Sequence, residues 1–278
     1  MNSASTTEGY LRDFHSRHPG VTAQTFAGAE AEVGGRFWPS SYAWLVDKVP
    51  GPDRALTVLD LGCGNGELLL SLAERKQPGL SLVGIDISPA ELAAAEQRLR
   101  GRARLIEARA QALPLPPASI DIIVSHLALM LMEDVDAVVE AMHRVLKSGG
   151  SIACIVWRGI VPGDGFEIFV EALRDAMAAE RVVGHQIGDR RIGLPDELAT
   201  LFGTWFESIE LSDLTVRQRG TPEAIWDRLV PNYDVDLLSP AGQLSLRSVF
   251  LAKLTQLADK DGMVESSIGL RSLTARKP

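Results

Sequence analysis

Short apolar runs alternate with amphipathic stretches through most of the chain. Five runs are short and rich in apolar residues, which predicts buried β-strands; they are residues 56–61, 82–87, 104–107, 120–126 and 152–157. Between them, apolar residues recur at a spacing of three or four, as after Asp134, and predict helices that cover the strands. Ser88 with Pro89 and Glu91 predicts a capping box at one helix start, and Thr221-Pro222 and Ser239-Pro240 predict two later starts. Residues 147–150, which end in Gly149 and Gly150, are predicted to close the helix after Asp134. Buried strands alternating with helices indicate βαβ units and a parallel sheet covered on both faces.

The regular alternation of predicted strands and helices ends after residue 157. Residues 164–181 predict an amphipathic helix, 209–217 a sixth strand and 263–275 a seventh, and two more helices are predicted between the last two strands. We therefore predict a Rossmann-like α/β fold: a seven-stranded, mostly parallel sheet flanked by helices, with helical insertions around the sixth strand. The chain shows no linker or internal repeat, which predicts a single domain. Its predicted parts are an N-terminal helical cover (1–55), a binding core (56–157), and chamber helices with closing strands (158–278).

Composition and net charge limit the classes of binding partner that we expect for the protein. A chain of 278 residues with 46% hydrophobic content can bury a large core. Lys and Arg number 28 against 36 Asp and Glu, so the formal charge of −8 gives a polyanion no attractive field. Nucleic acid and anionic membranes are therefore excluded as favoured partners. Two cysteines, a polar start and the lack of an apolar run of about 20 residues predict a cytoplasmic protein without a membrane span.

The first predicted strand runs into a glycine-rich turn and then into a helix, in the sequence VLDLGCGNGE. Gly62, Gly64 and Gly66 let the backbone approach a ligand at the carboxyl edge of the sheet, where open α/β sheets bind ligands. Asp86 ends the next predicted strand, where a carboxylate can accept hydrogen bonds from both hydroxyls of a ribose. This combination predicts an adenosine-containing ligand, whereas the loop alone is also typical of an ordinary tight turn.

Several adenosine ligands are disfavoured by what the sequence lacks. The dipeptide Gly-Lys of a phosphate-binding loop occurs nowhere, which argues against ATP and GTP. The loop reads GxGxG rather than GxGxxG, and no Tyr has a Lys four positions later, so NAD is the less favoured alternative. S-adenosylmethionine carries no phosphate, and its positively charged amino acid end suits the carboxylate of Asp60 beside the glycine loop.

Four motifs in this order resemble the class I S-adenosylmethionine-dependent methyltransferases. They are VLDLGCGNG, VGIDIS, AQALPLPPASIDIIV and RVLKSGGSIACIVW, and the resemblance covers residues 56–157. It implies S-adenosyl-L-methionine as cofactor and S-adenosyl-L-homocysteine as product. One position departs from the pattern, because Arg109 stands where many members have Asp before Ala110. The resemblance therefore leaves the role of that position in doubt.

The same resemblance assigns cofactor contacts along the chain. Gly62, Cys63 and Gly64 would line the methionine moiety, and Asp86 and Ile87 the ribose and adenine. Ala110 and Gln111 would lie at the adenine edge, Ser125 on the sulfonium side, and Tyr42 in a segment that folds over the cofactor. The residues assigned in this way, together with Asp60 from its charge, are Tyr42, Asp60, Gly62, Cys63, Gly64, Asp86, Ile87, Ala110, Gln111 and Ser125.

Four side chains are candidate catalytic groups: His126, His15, His18 and Tyr233. His126 ends the fourth predicted strand, beside the expected methyl group, and imidazole is suited to proton transfer near neutral pH. A histidine satisfied at a strand end is the equally weighted alternative. His15 and His18 lie in the N-terminal segment, where an ordinary capping role is the alternative; they lack an evident third ligand, so we predict no metal site.

Within this family, the sequence resembles bacterial methyltransferases of secondary metabolism. Some of these resemble enzymes that methylate a carbon atom of an indole ring. The acceptor would then be a small aromatic molecule, with Tyr233 or one of the histidines orienting or deprotonating the indole N1 hydrogen. The tetrad that methylates nucleobase amines is missing, because the only Pro-Pro follows Leu115. N- or O-methylation of another aromatic metabolite and a non-catalytic S-adenosylmethionine-binding module stay open as alternatives, and so does a homodimer.

Overall fold

We describe residues 7–278 in a computed structural model of the protein. Nine strands of this part form one sheet: β1 Glu30–Val33, β2 Arg36–Trp38, β3 Leu56–Leu61, β4 Leu80–Asp86, β5 Arg104–Glu107, β6 Ile120–His126, β7 Leu146–Ile160, β8 Glu207–Gly220 and β9 Val264–Arg276. The α-helices of the same part are α1 Thr7–Arg17, α2 Val21–Phe26, α3 Ser41–Asp47, α4 Glu67–Glu74, α5 Pro89–Leu99, α6 Val135–Val145, α7 Gly165–Glu180, α8 Pro195–Gly203, α9 Pro222–Leu229, α10 Tyr233–Asp236 and α11 Pro240–Thr255. None of these helices has the length and apolarity that a membrane span needs.

The sheet has the order β2-β1-β8-β9-β7-β6-β3-β4-β5. Strands β3 to β7 pair in parallel, and β9 lies antiparallel between β7 and β8. Because β3 lies between β4 and β6, the carboxyl ends of these three strands meet at one edge. The predicted α/β class with N-terminal helices is confirmed; the sheet is mixed rather than mostly parallel, with a parallel core of β3 to β7.

The predicted number of seven strands is wrong, because β1 and β2 form a hairpin that extends the sheet. Its two-residue loop is Gly34-Gly35, with φ angles of 56° and 76°. Two consecutive residues with positive φ match the hairpin turn whose twist fits the flanking strands, and glycine takes that conformation without steric cost. Strand β1 then pairs antiparallel with β8, so the hairpin joins the main sheet.

Helix starts follow the predicted caps, with one difference. Thr221 caps α9 and Ser239 caps α11, each with proline at the first helical position. At α5 the Ser88 hydroxyl accepts from the Glu91 N–H at 3.4 Å, but the Glu91 carboxylate does not return to the Ser88 N–H. The Ser88 N–H donates to Asp86 Oδ1 instead, at 2.8 Å, so only half of the predicted capping box forms. The Glu91 carboxylate accepts from the Gly20 N–H.

The apolar core lies on both faces of the sheet. Successive residues of β3 alternate between two clusters, with Val58 in one and Leu59 in the other, as the period of a strand requires. Helices α3, α4, α7 and α11 pack on the first face, and α6 with α8 on the second. This arrangement fixes β3, β4 and β6 from both sides and leaves their carboxyl ends free to form a pocket.

Candidate functional site

A pocket with a volume of about 980 Å³ lies where β3, β4 and β6 end. This volume includes space that is open to solvent. The strand ends and the turn after β3 form its floor, and α1 contributes one wall. The residues that line it from these elements are Glu8, Leu11, His15, Asp60, Gly62, Cys63, Gly64, Asp86, Ile87 and His126.

Two glycines of the turn after β3 serve different contacts. A Cβ on Gly62 would lie 2.2 Å from the Ala128 Cβ, so this glycine permits close packing against the segment after β6. At Gly64 the nearest atom to such a Cβ would be Glu91 Oε2, at 3.8 Å, and Gly64 faces the pocket. Both residues have positive φ, which glycine adopts without strain. Gly64 therefore presents bare backbone to a ligand.

Asp86 is held by backbone N–H groups. Gly64 donates to Oδ2 and Ser88 to Oδ1, each at 2.8 Å. Burial raises the pKa of the Asp86 carboxyl, while these two hydrogen bonds act in the opposite direction. Each carboxylate oxygen keeps a free lone pair at the pocket wall, as pairing with two ribose hydroxyls would require.

Asp60 lies at the pocket floor and is 2% exposed. Among residues 7–278, only burial and the charge of Asp86 act on the pKa of its carboxyl; no hydrogen-bond donor or cation does so. Burial, and secondarily the charge of Asp86, raises the pKa of Asp60 to about 8. An isolated buried carboxylate is costly, and a bound cation would offset that cost. The site therefore fits the ammonium of S-adenosylmethionine, and Asp60 would hold it.

The residues assigned to the adenine side lie together at the wall. Ile87, Ala110 and Gln111 line the pocket, and the Gln111 side chain is fixed by donating to the Glu133 carbonyl at 2.5 Å. Arg109 turns away and donates from Nε to Glu8 Oε1 at 2.8 Å. An Asp at that position would be an acceptor near the adenine, whereas Arg109 secures the start of α1 instead.

Ser125 and His18 are not brought to the pocket. Ser125 is fully buried in β6, and its hydroxyl donates to the Leu61 carbonyl at 2.7 Å, so it bridges two strands. The His18 side chain is 41% exposed and lies 4.0 Å from Asp236 Oδ1, beyond the end of α1. The geometry gives neither residue contact with a ligand in this pocket, although both were assigned to the site from sequence.

His126 borders the pocket with its ring stacked on Tyr42, the centroids 3.9 Å apart and the planes 22° from parallel. Its Nε2 lies 2.8 Å from the Ser41 hydroxyl, and its Nδ1 has no hydrogen-bond partner among residues 7–278. Burial lowers the pKa of His126 to about 3. The ring is therefore neutral near pH 7 and serves as a hydrogen-bonding group rather than as a strong base.

His15 and Tyr233 are brought together although 218 positions separate them. The His15 Nε2 lies 3.0 Å from the Tyr233 hydroxyl, and its Nδ1 lies 2.8 Å from Glu91 Oε1. Glu91 and His15 both line the pocket. Sequence reasoning gave Glu91 only a helix-start role, and no local signal reveals its contact with His15. Glu8 and Leu11, which also line the pocket, were missed for the same reason.

Residues 59–154 match the family model described as a methyltransferase domain. About a third of the chain is thus similar to methyltransferase domains. The matched segment holds the glycine loop, Asp60 and Asp86, so the cofactor of this domain is S-adenosylmethionine and its product is S-adenosylhomocysteine. The four motifs recognised in the sequence lie within or next to this segment.

Curated relatives share this domain over part of their length. The U6 snRNA (guanine-N(2))-methyltransferase THUMPD2 of Bos taurus is 32% identical over 126 residues, which are 42% of this chain and 25% of the relative. The nocamycin O-methyltransferase of Saccharothrix syringae is 31% identical over 171 residues, covering 56% of this chain and 59% of the relative. The chain thus spans a quarter of the first relative and less than two thirds of the second.

A solved structure shows the same fold over the whole chain. It is a Haemonchus contortus N-methyltransferase in complex with phosphomonomethylethanolamine and S-adenosylhomocysteine, with a TM-score of 0.59 and 17% sequence identity. The alignment covers 100% of this chain and 61% of that one. At this level of identity the similarity supports the fold and no finer statement.

Proposed function

We propose that the protein transfers the methyl group of S-adenosylmethionine to a small aromatic acceptor in bacterial secondary metabolism, with an indole ring carbon as the acceptor atom. The observation that carries the proposal is the unpaired, buried Asp60 at the floor of a pocket that Gly64 and Asp86 also line. A cationic ligand would offset the free-energy cost of a buried carboxylate in that position. S-adenosylmethionine, when bound, supplies an electrophilic methyl group attached to a sulfonium.

Two observations support a small acceptor. Helix α1 contributes a wall of the pocket, which restricts its access, and the formal charge of −8 disfavours a polyanionic substrate such as RNA. The relative from Saccharothrix is named for O-methylation of nocamycin, which adds weight to a natural-product acceptor. The bovine relative acts on RNA, and an RNA acceptor is therefore an alternative outcome of the test.

The aromatic character of the acceptor rests on the stacked pair of His126 and Tyr42. A flat ring can pack on such a surface and gain about 0.5–1.5 kcal/mol beyond the area that it buries. An indole C3 atom is already electron-rich, so the protein needs mainly to orient the ring and to accept its N1 proton. The neutral His126 can hold the ring by a hydrogen bond, and His15, which also lines the pocket, can accept the proton.

The test is methyl transfer from trideuteromethyl-labelled S-adenosylmethionine, followed by mass spectrometry. We expect labelled product from an indole such as L-tryptophan or a tryptophan-containing dipeptide, and none from an RNA oligonucleotide. Product from phenols or amines alone would replace the indole by an O- or N-acceptor. Binding of S-adenosylhomocysteine without product from any acceptor would favour the non-catalytic binding module.

A further inference from the structure

The Glu8 side chain on α1 lines the pocket and is held in place by Arg109. Arg109 Nε donates to Glu8 Oε1 at 2.8 Å, and Arg109 Nη2 lies 2.7 Å from the same oxygen. The ion pair therefore uses Oε1 and leaves the lone pairs of Oε2 to another donor. The Glu8 side chain is 19% exposed, so water competes little with a ligand for that oxygen.

The order of the strands shows which end of the pocket Glu8 borders. Asp60 lies on β3, Asp86 ends β4 and Ala110 follows β5, and all three line the pocket. These strands are neighbours in the sheet and lie about 4.8 Å apart, so the pocket extends over roughly 10 Å from β3 to β5. Because Arg109 directly precedes Ala110, the carboxylate that it holds lies at the β5 end.

Helix α1 crosses the pocket and reaches both of its ends. Glu8, Leu11 and His15 share one face of the helix, and all three line the pocket. Glu8 and His15 are seven residues apart, which is roughly 10 Å along a helix. His15 Nδ1 lies 2.8 Å from Glu91 Oε1, and Glu91 borders Gly64 in the turn after β3. The helix thus places Glu8 at the end opposite to this turn.

The hydrogen-bond donors of S-adenosylmethionine follow the same order as the acids of the pocket. Asp60 on β3 fits the ammonium, and Asp86 at the end of β4 fits the two ribose hydroxyls. The base then extends toward the end of β5, where Glu8 lies. On an adenine, N1, N3 and N7 are acceptors, and the N6 amino group is the donor. An ionised carboxylate only accepts, so the N6 amino group is its partner on the base.

We propose that Glu8 selects adenine as the base of the bound cofactor by accepting a hydrogen bond from its N6 amino group, and that Arg109 is the positioning residue for Glu8. The proposal rests on the proposed function. Glu8 is the second residue of α1, and a free glutamate side chain has several rotamers. The ion pair with Arg109 removes that freedom before the ligand binds.

Gln111 is a second polar side chain at this end of the pocket. Its Nε2 donates to the Glu133 carbonyl at 2.5 Å, which leaves its Oε1 as a neutral acceptor. Hydrogen bonds to an ionised acceptor are roughly twice as strong as those between neutral groups. The carboxylate of Glu8 is therefore the stronger acceptor, and Gln111 is the rival that the experiment must separate from it.

Two ligands that differ only at N6 test the proposal on the wild-type protein. They are S-adenosylhomocysteine and its 6-deamino analogue, in which a hydrogen atom replaces the amino group. We expect calorimetric titration to give at least about tenfold tighter binding of S-adenosylhomocysteine. Binding of both ligands with the same affinity would overturn the role of Glu8 and leave the proposed function intact. Binding of neither ligand would overturn the proposed function itself.

Glu8→Gln separates Glu8 from other acceptors. Arg109 would keep the amide oxygen as its acceptor, so the amide NH₂ would face the pocket, and a donor there cannot pair with N6. We expect the affinity ratio of the two ligands to fall to about one, through weaker binding of S-adenosylhomocysteine. A ratio equal to that of the wild type would assign the selection to Gln111 or to another group and overturn the proposal.

Glu107→Gln is the matched control. Glu107 on β5 pairs with Arg12 on α1 at 3.3 Å, so it joins the same part of the chain to α1, but it does not line the pocket described here. We expect this variant to keep the wild-type affinity ratio. Loss of the ratio in both variants would show that attachment of α1, rather than the Glu8 carboxylate, governs selection, and would overturn the proposal.

The positioning role of Arg109 is tested by the same ratio. We expect Arg109→Ala to lower the ratio, because the Glu8 side chain is then free to turn away, and Arg109→Lys to restore part of it through a new ion pair with Oε1. A role in stability alone would weaken the binding of both ligands equally. A wild-type ratio in Arg109→Ala, in protein shown to be folded by its melting temperature, would overturn the positioning role.

Discussion

Asp60 and His126 show how burial sets the charge of single residues in the pocket. Burial raises the pKa of the first to about 8 and lowers that of the second to about 3, so both groups are mainly neutral near pH 7 without a ligand. The sequence placed both residues at strand ends but not in these states, because the states depend on what the whole fold packs around them. A cationic ligand would return Asp60 to its charged form.

We expect ligand binding to release a proton from Asp60. At pH 7 a carboxyl with a pKa of about 8 is mostly protonated, and an ammonium beside it lowers that pKa. Calorimetric titration with S-adenosylhomocysteine in buffers of different ionisation enthalpy measures the number of protons released. The number of protons released should approach one for the wild type and be much smaller for Asp60→Asn. Because Asp86 is unchanged in that variant, the smaller number would show that Asp86 is not the source of the proton. Equal release from both proteins would contradict the assignment.

His126 should make stability depend on pH. The unfolded chain takes up a proton near pH 6.5, whereas the folded ring, with a pKa of about 3, does not. The free energy of unfolding should therefore fall as pH decreases from about 7 toward 4. Urea unfolding at several pH values should show a smaller slope in His126→Gln than in the wild type. A slope that is the same in both proteins would show that His126 titrates normally.

At the scale of elements, the βαβ core was predictable and its edges were not. The predicted bounds of β3, β5 and β6 agree with the structure; β3 and β6 are buried parallel strands, which leave a mainly apolar run in the sequence, whereas β5 is an edge strand with no buried residue. The β1–β2 hairpin has Ala31 as its one buried strand residue and carries no such run, although its Gly34-Gly35 loop is a hairpin signal that the sequence does contain. Gly149 and Gly150, predicted to close α6, belong to β7.

The turn after β3 depends on a glycine contact with the segment after β6. Gly62 and Gly101 have almost the same φ, 75° and 76°, but a Cβ would meet Ala128 only at Gly62. We expect Gly101→Ala to lower the free energy of unfolding by about 1–2 kcal/mol, the cost of left-handed backbone. Gly62→Ala should lower it by about 1–3 kcal/mol more, the cost of overpacking.

Urea unfolding of both variants measures this difference. Ala128→Gly removes the atom with which the new methyl group collides, so combining it with Gly62→Ala should recover part of the extra loss. Equal losses in Gly62→Ala and Gly101→Ala would contradict the close contact.

At the scale of the whole molecule, the site has a part that the sequence shows and a part that only the fold creates. The glycine loop and Asp86 are close in sequence and follow a recognisable spacing, and the structure places both at the pocket. The contact between Glu91, His15 and Tyr233 joins three helices whose separation in sequence carries no signal. Helix α1 closes on this part through a further ion pair, in which Arg17 Nη1 lies 2.6 Å from Asp236 Oδ1.

Binding of S-adenosylhomocysteine, measured by calorimetry on the wild type and on Asp86→Ala, tests the central claim most directly. The account predicts saturable binding with one site, and at least about tenfold weaker affinity in Asp86→Ala, equivalent to ~1.4 kcal/mol. Asp175→Ala, which removes an exposed carboxylate from α7, is the control and should bind like the wild type. No binding to the wild-type protein, or equal affinity in Asp86→Ala, would contradict the account.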